Sequence, residues 1–382
     1  MKTKYVRGKD AGKFKISKTG KKVEVFETGG LLPFTDPFQV EKNKNHLQKL
    51  RTRYGDLSFV DRVLRSCADS LTGQEPLSSQ IREIEDGNIN LSFQVKTNVT
   101  DLFVKKYLPY VRANPQLKVI PFSGSLATKE ARIINFLQEI TPPDSRVRVP
   151  PLIGYSEKEG VLVTKFLEGY RPLFIGPHDT LVPVCGDIGS FLRYVHGVES
   201  IPGIEIKERI QGTFERITLR HSNRVRNIPL SDKIREWIDE HSTVKKTLIH
   251  GDFSPKNLLW DGKNVFLIDF QDVMYGDRSR DVGQFLGDLI STGIKRNLST
   301  RTLERAWGAF WKNYAGESLP EAESILRRSK TMAGMVLIYR SLGLYDYGST
   351  EDTKRFGQKC YKTGLRLILT DEPLSRTLAK IK

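Results

Sequence analysis

The stretch LIHGDFSPKNLLW, residues 248–260, places a run of polar side chains between two apolar segments. Asn257 follows Asp252 by five residues, and Asp269 follows Asn257 by twelve, within the apolar segment VFLIDF. Two interpretations are open at this point. The polar run is either a solvated turn with capping residues or a catalytic loop held between two buried strands.

The sequence after the loop favours the catalytic interpretation. LLWDGKNVFLI is typical of two short strands joined by a turn at Asp261, which brings Asn257 and Asp269 together. Amide and carboxylate oxygens suit Mg²⁺, which keeps several waters and needs few protein ligands. Asp252 would then lie beside the metal and accept a hydroxyl proton. This arrangement is typical of phosphoryl transfer.

Length and composition bound the remaining possibilities. The chain has 382 residues, of which 38% are hydrophobic, and this suggests two or three structural units with a real core. It lacks a run of about 18 apolar residues, so we expect no membrane span. The first residues, MKTKYVRGKD, include no apolar signal segment, and the three cysteines are widely separated. These features indicate a reducing cytoplasm.

The formal net charge is +16, and the first fifty residues hold 12 Lys and Arg against 5 Asp and Glu. This excess forms either a solvated lysine-rich surface, which we favour, or an attraction for anions such as nucleotides, phosphorylated metabolites or RNA. The segment has neither an RG-rich tract nor regularly spaced aromatic residues. Nucleic acid is therefore not the favoured partner, although the basic N-terminus leaves it open.

Hydrophobic periodicity divides the chain into two parts. The first part reads as an amphipathic helix in residues 55–73, a hairpin from NINLSFQV and DLFVKKYL, a helix in 127–140, and a second hairpin in 149–169. After residue 169 helices dominate, and only TLIH, NLLW and VFLIDF look like strands. A long polar loop is expected at 217–230. The pattern predicts an α+β protein with a sheet-rich lobe before a helical lobe.

HGDFSPKNLL followed by LIDFQ resembles the aminoglycoside phosphotransferase and choline kinase group, which shares the protein-kinase fold. Resemblance to the methylthioribose kinase branch extends further, through EIEDGNINLSFQV, VKKYLPYVR, YGDRSRDVGQF and YRSLGL. It covers roughly residues 55–370. It implies a bilobal protein-kinase-like fold, with a small antiparallel-sheet N-lobe containing one key helix and a larger, mostly helical C-lobe. It also implies ATP and Mg²⁺ as cofactors.

On this basis we divide the chain into a basic N-terminal extension (1–50), an N-lobe that covers ATP (51–168), and a C-lobe with the catalytic loop and the substrate site (169–382). The resemblance implies that Lys105 holds the α- and β-phosphates of ATP and that Glu130 orients Lys105. For Glu130 a surface ion pair is the alternative. Lys106 should face the opposite side of the strand.

Three adjacent residues, Asp86, Gly87 and Asn88, would lie over the phosphates, although such a triplet is also an ordinary turn. Asp252 is expected to be the catalytic base, with Asn257 and Asp269 as the metal ligands. Lys256 either offsets charge on the transferred phosphoryl group or lies on the surface.

Other residues of the motifs have supporting or uncertain roles. We expect His250 to fix the loop through backbone groups, and Asp281 to be a helix N-cap that supports it. Gln271 stands where a second carboxylate is usual, which leaves a second metal site in doubt. The methylthioribose branch pairs two arginines around its sugar, whereas this chain has Tyr339 before Arg340. Arg340 is therefore half of that substrate clamp.

The predicted function is ATP-dependent transfer of the γ-phosphate to a hydroxyl of a small molecule, with a methylthioribose-like sugar favoured. An aminoglycoside or other antibiotic kinase is the first alternative, and the high positive charge argues mildly against a polycationic acceptor. A nucleotide-binding pseudokinase or an RNA-associated kinase is the second. A homodimer is left open.

Overall fold

The computed structural model describes residues 14–16, 22–24, 58–67, 78–84, 90–108, 110–111, 114–118, 123–173, 181–204, 213–317, 321–342 and 351–381. Of the basic N-terminal extension it therefore describes two strands, β1 (Phe14–Ile16) and β2 (Lys22–Glu24), which pair antiparallel. The first long helix, α1 (Ser58–Ser66), lies within the predicted range, whose flanks are outside the described residues.

The N-lobe is built on a five-stranded antiparallel sheet, in agreement with the predicted hairpins. Its elements in chain order are β3 (Ser78–Ile84), β4 (Leu91–Thr97), β5 (Asp101–Lys106), β6 (Tyr110–Val111), β7 (Asn114–Lys118), helix α2 (Ser123–Ile140), β8 (Val147–Arg148), β9 (Leu152–Ser156) and β10 (Val161–Lys165). The strand order in the sheet is β3-β4-β5-β10-β9, and β6 and β7 form a separate pair.

Side-chain alternation gives the sheet two buried faces. Val161 and Val163 of β10 belong to the cluster packed against α1, whereas Leu162 belongs to the main core that contains α2. Lys105 pairs with Leu162 across the strands and Lys106 pairs with Val161, so the two lysines face opposite sides. The register therefore directs Lys105 toward α2.

The C-lobe is mostly helical, as predicted. Its helices are α3 (Leu181–His196), α4 (Thr213–Arg224), α5 (Ile228–Thr243), α6 (Ser279–Arg296), α7 (Thr300–Ala315), α8 (Ala322–Ser341), α9 (Glu351–Leu369) and α10 (Leu374–Ala379). Its strands are β11 (Arg171–Pro172), β12 (Thr247–Ile249), β13 (Leu258–Trp260), β14 (Val265–Leu267) and β15 (Met274–Gly276). None of the described helices is long and apolar enough to cross a bilayer.

The expected loop at 217–230 is wrong, because α4 and the start of α5 occupy this range. The helical polar groups have buried partners there: the hydroxyls of Ser222 and Ser231 lie 2.7 Å apart. Glu215 forms a buried ion pair of 2.7 Å with Arg280. The sequence of α4 is polar because this helix packs through polar contacts. Its polar composition alone therefore suggested a loop.

Short strands connect the C-lobe sheet to the rest of the molecule. The order β11-β13-β14-β8 places β8, which precedes the N-lobe hairpin β9–β10 in the chain, parallel to β14 of the C-lobe. β12 pairs with β15. The expectation that the strands after residue 169 were limited to three segments is therefore wrong, because β11 and β15 are also present. Strands of two or three residues are too short to show a period of two.

Candidate active site

The loop between β12 and β13 is held in place by Asp281 of α6. One carboxylate oxygen accepts the backbone N–H of His250 at 2.7 Å, and the other accepts the N–H of Gly251 at 2.9 Å. Gly251 has φ of +80°, a conformation that glycine adopts without a steric penalty. The loop then enters a short 3₁₀ turn, Pro255–Asn257. These contacts fix the direction in which the Asp252 side chain projects from the loop.

The Asp252 carboxylate accepts hydrogen bonds on both oxygens. Oδ1 accepts from Gln284 Nε2 at 2.6 Å, and Oδ2 accepts from Asn257 Nδ2 at 3.0 Å. The ammonium of Lys256 lies 2.8 Å from Oδ2. Burial opposes ionisation, but the charge and hydrogen bond of Lys256 and the hydrogen bond of Gln284 outweigh it and lower the pKa of Asp252. The carboxylate is therefore ionised at neutral pH and can accept a proton.

His250 has the supporting geometry expected from the sequence. Its Nε2 lies 3.1 Å from the carbonyl oxygen of Ile268, and its Nδ1 accepts the backbone N–H of Asp252 at 3.3 Å. This pattern assigns the proton to Nε2. Both ring nitrogens are therefore engaged by backbone groups of the loop and of the neighbouring segment.

Pairing of β13 with β14 brings the two predicted metal ligands to neighbouring positions. Leu258 pairs with Leu267, and the N–H of Ile268 donates to the carbonyl oxygen of Asn257 at 2.9 Å. Asp269 comes directly after this pair, with φ of +69°, in the left-handed region that non-glycine residues seldom adopt. Such backbone strain concentrates at functional sites.

Lys105 connects the two lobes at the site. Its ammonium is 2.9 Å from Glu130 Oε2 of α2 and 2.6 Å from Asp269 Oδ1. Burial disfavours the charged lysine, but the two carboxylates outweigh this effect and raise its pKa. Glu130 is 2% exposed and also accepts the backbone N–H of Phe270 at 3.1 Å. The alternative of a surface ion pair at Glu130 is therefore wrong.

The sequence profile described as the phosphotransferase enzyme family, APH, matches residues 80–317. The chain belongs to the phosphotransferase enzyme family. Methylthioribose kinase from Bacillus cereus (strain G9842) is 23% identical over 315 residues, which cover 69% of this chain and 78% of that protein. Methylthioribose kinase from Bacillus thuringiensis subsp. konkukian (strain 97-27) is 24% identical over 323 residues, covering 71% and 80%.

Among solved structures, amicoumacin kinase hAmiN in complex with AMP-PNP, Ca²⁺ and Ami superposes with a TM-score of 0.57. The sequences are 11% identical, and the match covers 86% of this chain and 99% of that one. At this identity the likeness shows the fold alone. The bilobal, protein-kinase-like fold and the resemblance to methylthioribose kinases are confirmed, and the chain is an ATP-dependent phosphotransferase of small molecules.

The structure of this phosphotransferase does not bring every predicted site residue to Asp252. Arg340 of α8 donates to Asp288 Oδ1 at 2.8 Å, and Asp288 in turn accepts the hydroxyl of Ser254 at 2.7 Å. Arg340 thus reaches Ser254 of the catalytic loop through the side chain of Asp288, and its contact with a substrate stays a prediction. Asp86, Gly87 and Asn88 lie outside the described residues.

Asp281 supports the loop but is not the N-cap of α6, so that prediction is wrong. Asp281 is the third residue of the helix, and the carboxylate of Asp277 accepts the N–H of Ser279 at 2.9 Å. Asp277 also receives Arg328 Nε at 2.6 Å, and hydrogen bonds together with this charge overcome burial and lower its pKa. The N-cap position is Arg278, whose side chain makes no capping hydrogen bond, and Asp277 lies one residue before it.

The phosphotransferase fold also uses residues that sequence reasoning missed. Lys129, next to Glu130, donates to the carbonyl oxygens of Val273 at 2.6 Å and Gln271 at 3.3 Å. The side-chain oxygen of Gln271 accepts Asn90 Nδ2 at 2.8 Å, which joins the sheet to the segment after Asp269. No sequence signal marks these contacts, because each joins segments more than 140 residues apart.

Proposed function

We propose that this phosphotransferase transfers the γ-phosphate of ATP to a hydroxyl group of a methylthioribose-like sugar, with Asp252 as the catalytic base. Two side-chain contacts support these roles: Lys105 contacts Asp269, and Asn257 contacts Asp252. The pairing of β13 with β14 joins the two pairs, because the N–H of Ile268 donates to the carbonyl oxygen of Asn257. The acceptor class is supported by the methylthioribose kinases that match over two thirds of the chain.

In the proposed reaction the acceptor hydroxyl approaches Asp252 as the carboxylate takes its proton. The acceptor oxygen forms a bond to the γ-phosphorus, and the bond between that phosphorus and the bridging oxygen breaks, so that ADP leaves. Lys105, held by Glu130, positions the phosphates of ATP. The ammonium of Lys256, which contacts Asp252, offsets the negative charge of the transferred phosphoryl group. Positioning and charge provide most of the acceleration in this class of reaction.

The residues present fit a magnesium ion. Because Asn257 Nδ2 donates to both the backbone oxygen and Oδ2 of Asp252, its amide oxygen points away from that residue. Asp269 adds a carboxylate on the adjoining strand end. Within the described ranges, no group of three or more His, Cys, Asp or Glu side chains is placed to hold a metal. One carboxylate and one amide oxygen suit Mg²⁺, which neutralises phosphate charge when bound.

The test is transfer of labelled phosphate from ATP to a panel containing methylthioribose, aminoglycosides and RNA. We expect methylthioribose to be the best acceptor and Asp252→Asn to lower kcat by ~10²–10³-fold. Asp261→Asn is the matched control, because Asp261 accepts two backbone N–H groups in an exposed hairpin turn and asparagine can do the same. Its turnover should equal that of the wild type.

Each unfavourable result has a distinct meaning. An aminoglycoside turned over faster than methylthioribose would replace the proposed acceptor and leave the roles of the residues standing. Asp252→Asn with the turnover of Asp261→Asn would refute the assignment of Asp252. ATP binding without phosphate transfer to any acceptor would favour a binding protein.

A further inference from the structure

One face of α6 carries three polar side chains against the catalytic loop. Asp281, Gln284 and Asp288 follow one another at spacings of three and four, which places them on the same side of the helix. All three are buried, with at most 4% of their surface exposed. Such a stripe in a buried helix requires polar partners, because an unpaired buried polar group is costly.

The partners of the stripe are successive parts of the loop. Asp281 accepts the N–H groups of His250 and Gly251, Gln284 donates to Asp252, and Asp288 accepts the hydroxyl of Ser254. The stripe therefore contacts the two residues before the base, the base itself and the second residue beyond it. Gln284 is the member of the stripe that touches the Asp252 carboxylate.

We propose that Gln284 is a positioning residue for the transfer reaction: it holds Asp252 Oδ1 on the helix side and thereby leaves Oδ2 as the oxygen that receives the acceptor proton. The inference rests on the proposed role of Asp252. It identifies Oδ2 as the oxygen that accepts the proton and Gln284 as the residue that selects this oxygen.

The burial of the two sides supports this division of the carboxylate. Gln284 is 2% exposed, so Oδ1 points into the protein at the helix. Oδ2 contacts two groups: the amide of Asn257, which is 5% exposed, and the ammonium of Lys256, whose side chain is 54% exposed. The Lys256 side of Oδ2 is therefore the side that an acceptor from solvent can reach. A substrate hydroxyl at Oδ2 would take the place that the Lys256 ammonium occupies, since both approach the same oxygen.

The experiment compares Gln284→Leu with the wild type in phosphate transfer, with kcat and KM for ATP measured separately. Leucine preserves the approximate volume and removes the donor. We expect kcat to fall ~10–100-fold, the size of one lost hydrogen bond to a charged group. KM for ATP should stay unchanged, because Gln284 does not contact the Lys105 side of the site.

The matched control is Gln138→Leu. Gln138 lies in α2 and donates to the carbonyl oxygen of Pro150 at 3.1 Å, so this substitution also removes one amide donor to a protein oxygen. A merely structural role of Gln284 would change stability in both variants and would lower kcat no more than the control substitution does. A kcat of Gln284→Leu within twofold of that of Gln138→Leu would overturn the proposal.

Two further variants keep the result interpretable. If Gln284→Leu fails to fold, Gln284→Glu carries the test, since glutamate keeps the shape of the side chain and removes the amide donor to Asp252 Oδ1. Its kcat should fall at least as far, and a wild-type kcat would refute the proposal. Asp252→Asn separates the two levels. An active Asp252→Asn refutes the proposed function, whereas an inactive Asp252→Asn with a normal Gln284→Leu refutes this inference alone.

Discussion

Replacement of Glu130 by glutamine should weaken both the fold and ATP binding. The substitution keeps the shape of the side chain and removes the negative charge 2.9 Å from the buried Lys105. Breaking a buried ion pair outright costs ~3–5 kcal/mol. Here Lys105 retains Asp269, so we expect the smaller loss of one hydrogen bond to a charged group, about 1.5–3 kcal/mol. KM for ATP should rise, because Lys105 loses one of its two anchors.

Glu159→Gln provides a matched control, because Glu159 pairs with Lys106, which faces the other side of β5. Glu159 lies 3.7 Å from the Lys106 ammonium, and both side chains are 21% exposed. Partly exposed pairs contribute ~0.2–1 kcal/mol, so this variant should change the free energy of unfolding little. The measurements are urea unfolding followed by tryptophan fluorescence and the KM for ATP. Equal effects of the two substitutions on both quantities would show that Lys105 does not depend on Glu130.

Two other predictions concern the loop and the metal. Gly251→Ala should destabilise the protein by at least ~1–2 kcal/mol, because alanine is strained at positive φ and its Cβ would overlap the carbonyl oxygen of Asp272. Thermal unfolding and turnover measure this effect. Wild-type values of both quantities would contradict the prediction. Asn257→Ala should raise the Mg²⁺ concentration needed for half-maximal activity roughly tenfold or more; a metal titration of activity measures it, and an unchanged midpoint would remove Asn257 as a ligand.

The sequence was most informative where a period or a turn signal was strong. The alternation in β4 and β5 predicted a hairpin, and it also predicted that Lys105 and Lys106 face opposite sides. The Asp261 turn between β13 and β14 predicted that Asn257 and Asp269 lie at neighbouring strand ends. These features depend on local geometry, in which the direction of a side chain follows from its position in the strand.

Long-range polar contacts were less predictable. The polar sequence of α4 suggested a loop, because its composition does not reveal that Glu215 meets Arg280 of another helix inside the protein. The strand β8 has two residues and pairs with a segment more than a hundred residues later. Gln284 was missed although its spacing from Asp281 and Asp288 was a usable signal: three polar residues on the buried face of a helix require partners.

The parallel pairing of β8 with β14 means that the chain enters the C-lobe sheet, returns to the N-lobe sheet, and then leaves it again. Val147 of β8, Leu162 of β10 and Leu267 of β14 also share one hydrophobic cluster. The boundary near residue 168 therefore separates two lobes in shape, but it does not separate two independently stable units. A fragment beginning at residue 169 would leave the edge of β14 unpaired, and an exposed strand edge promotes aggregation. The two lobes are interwoven and must be made and kept as one unit.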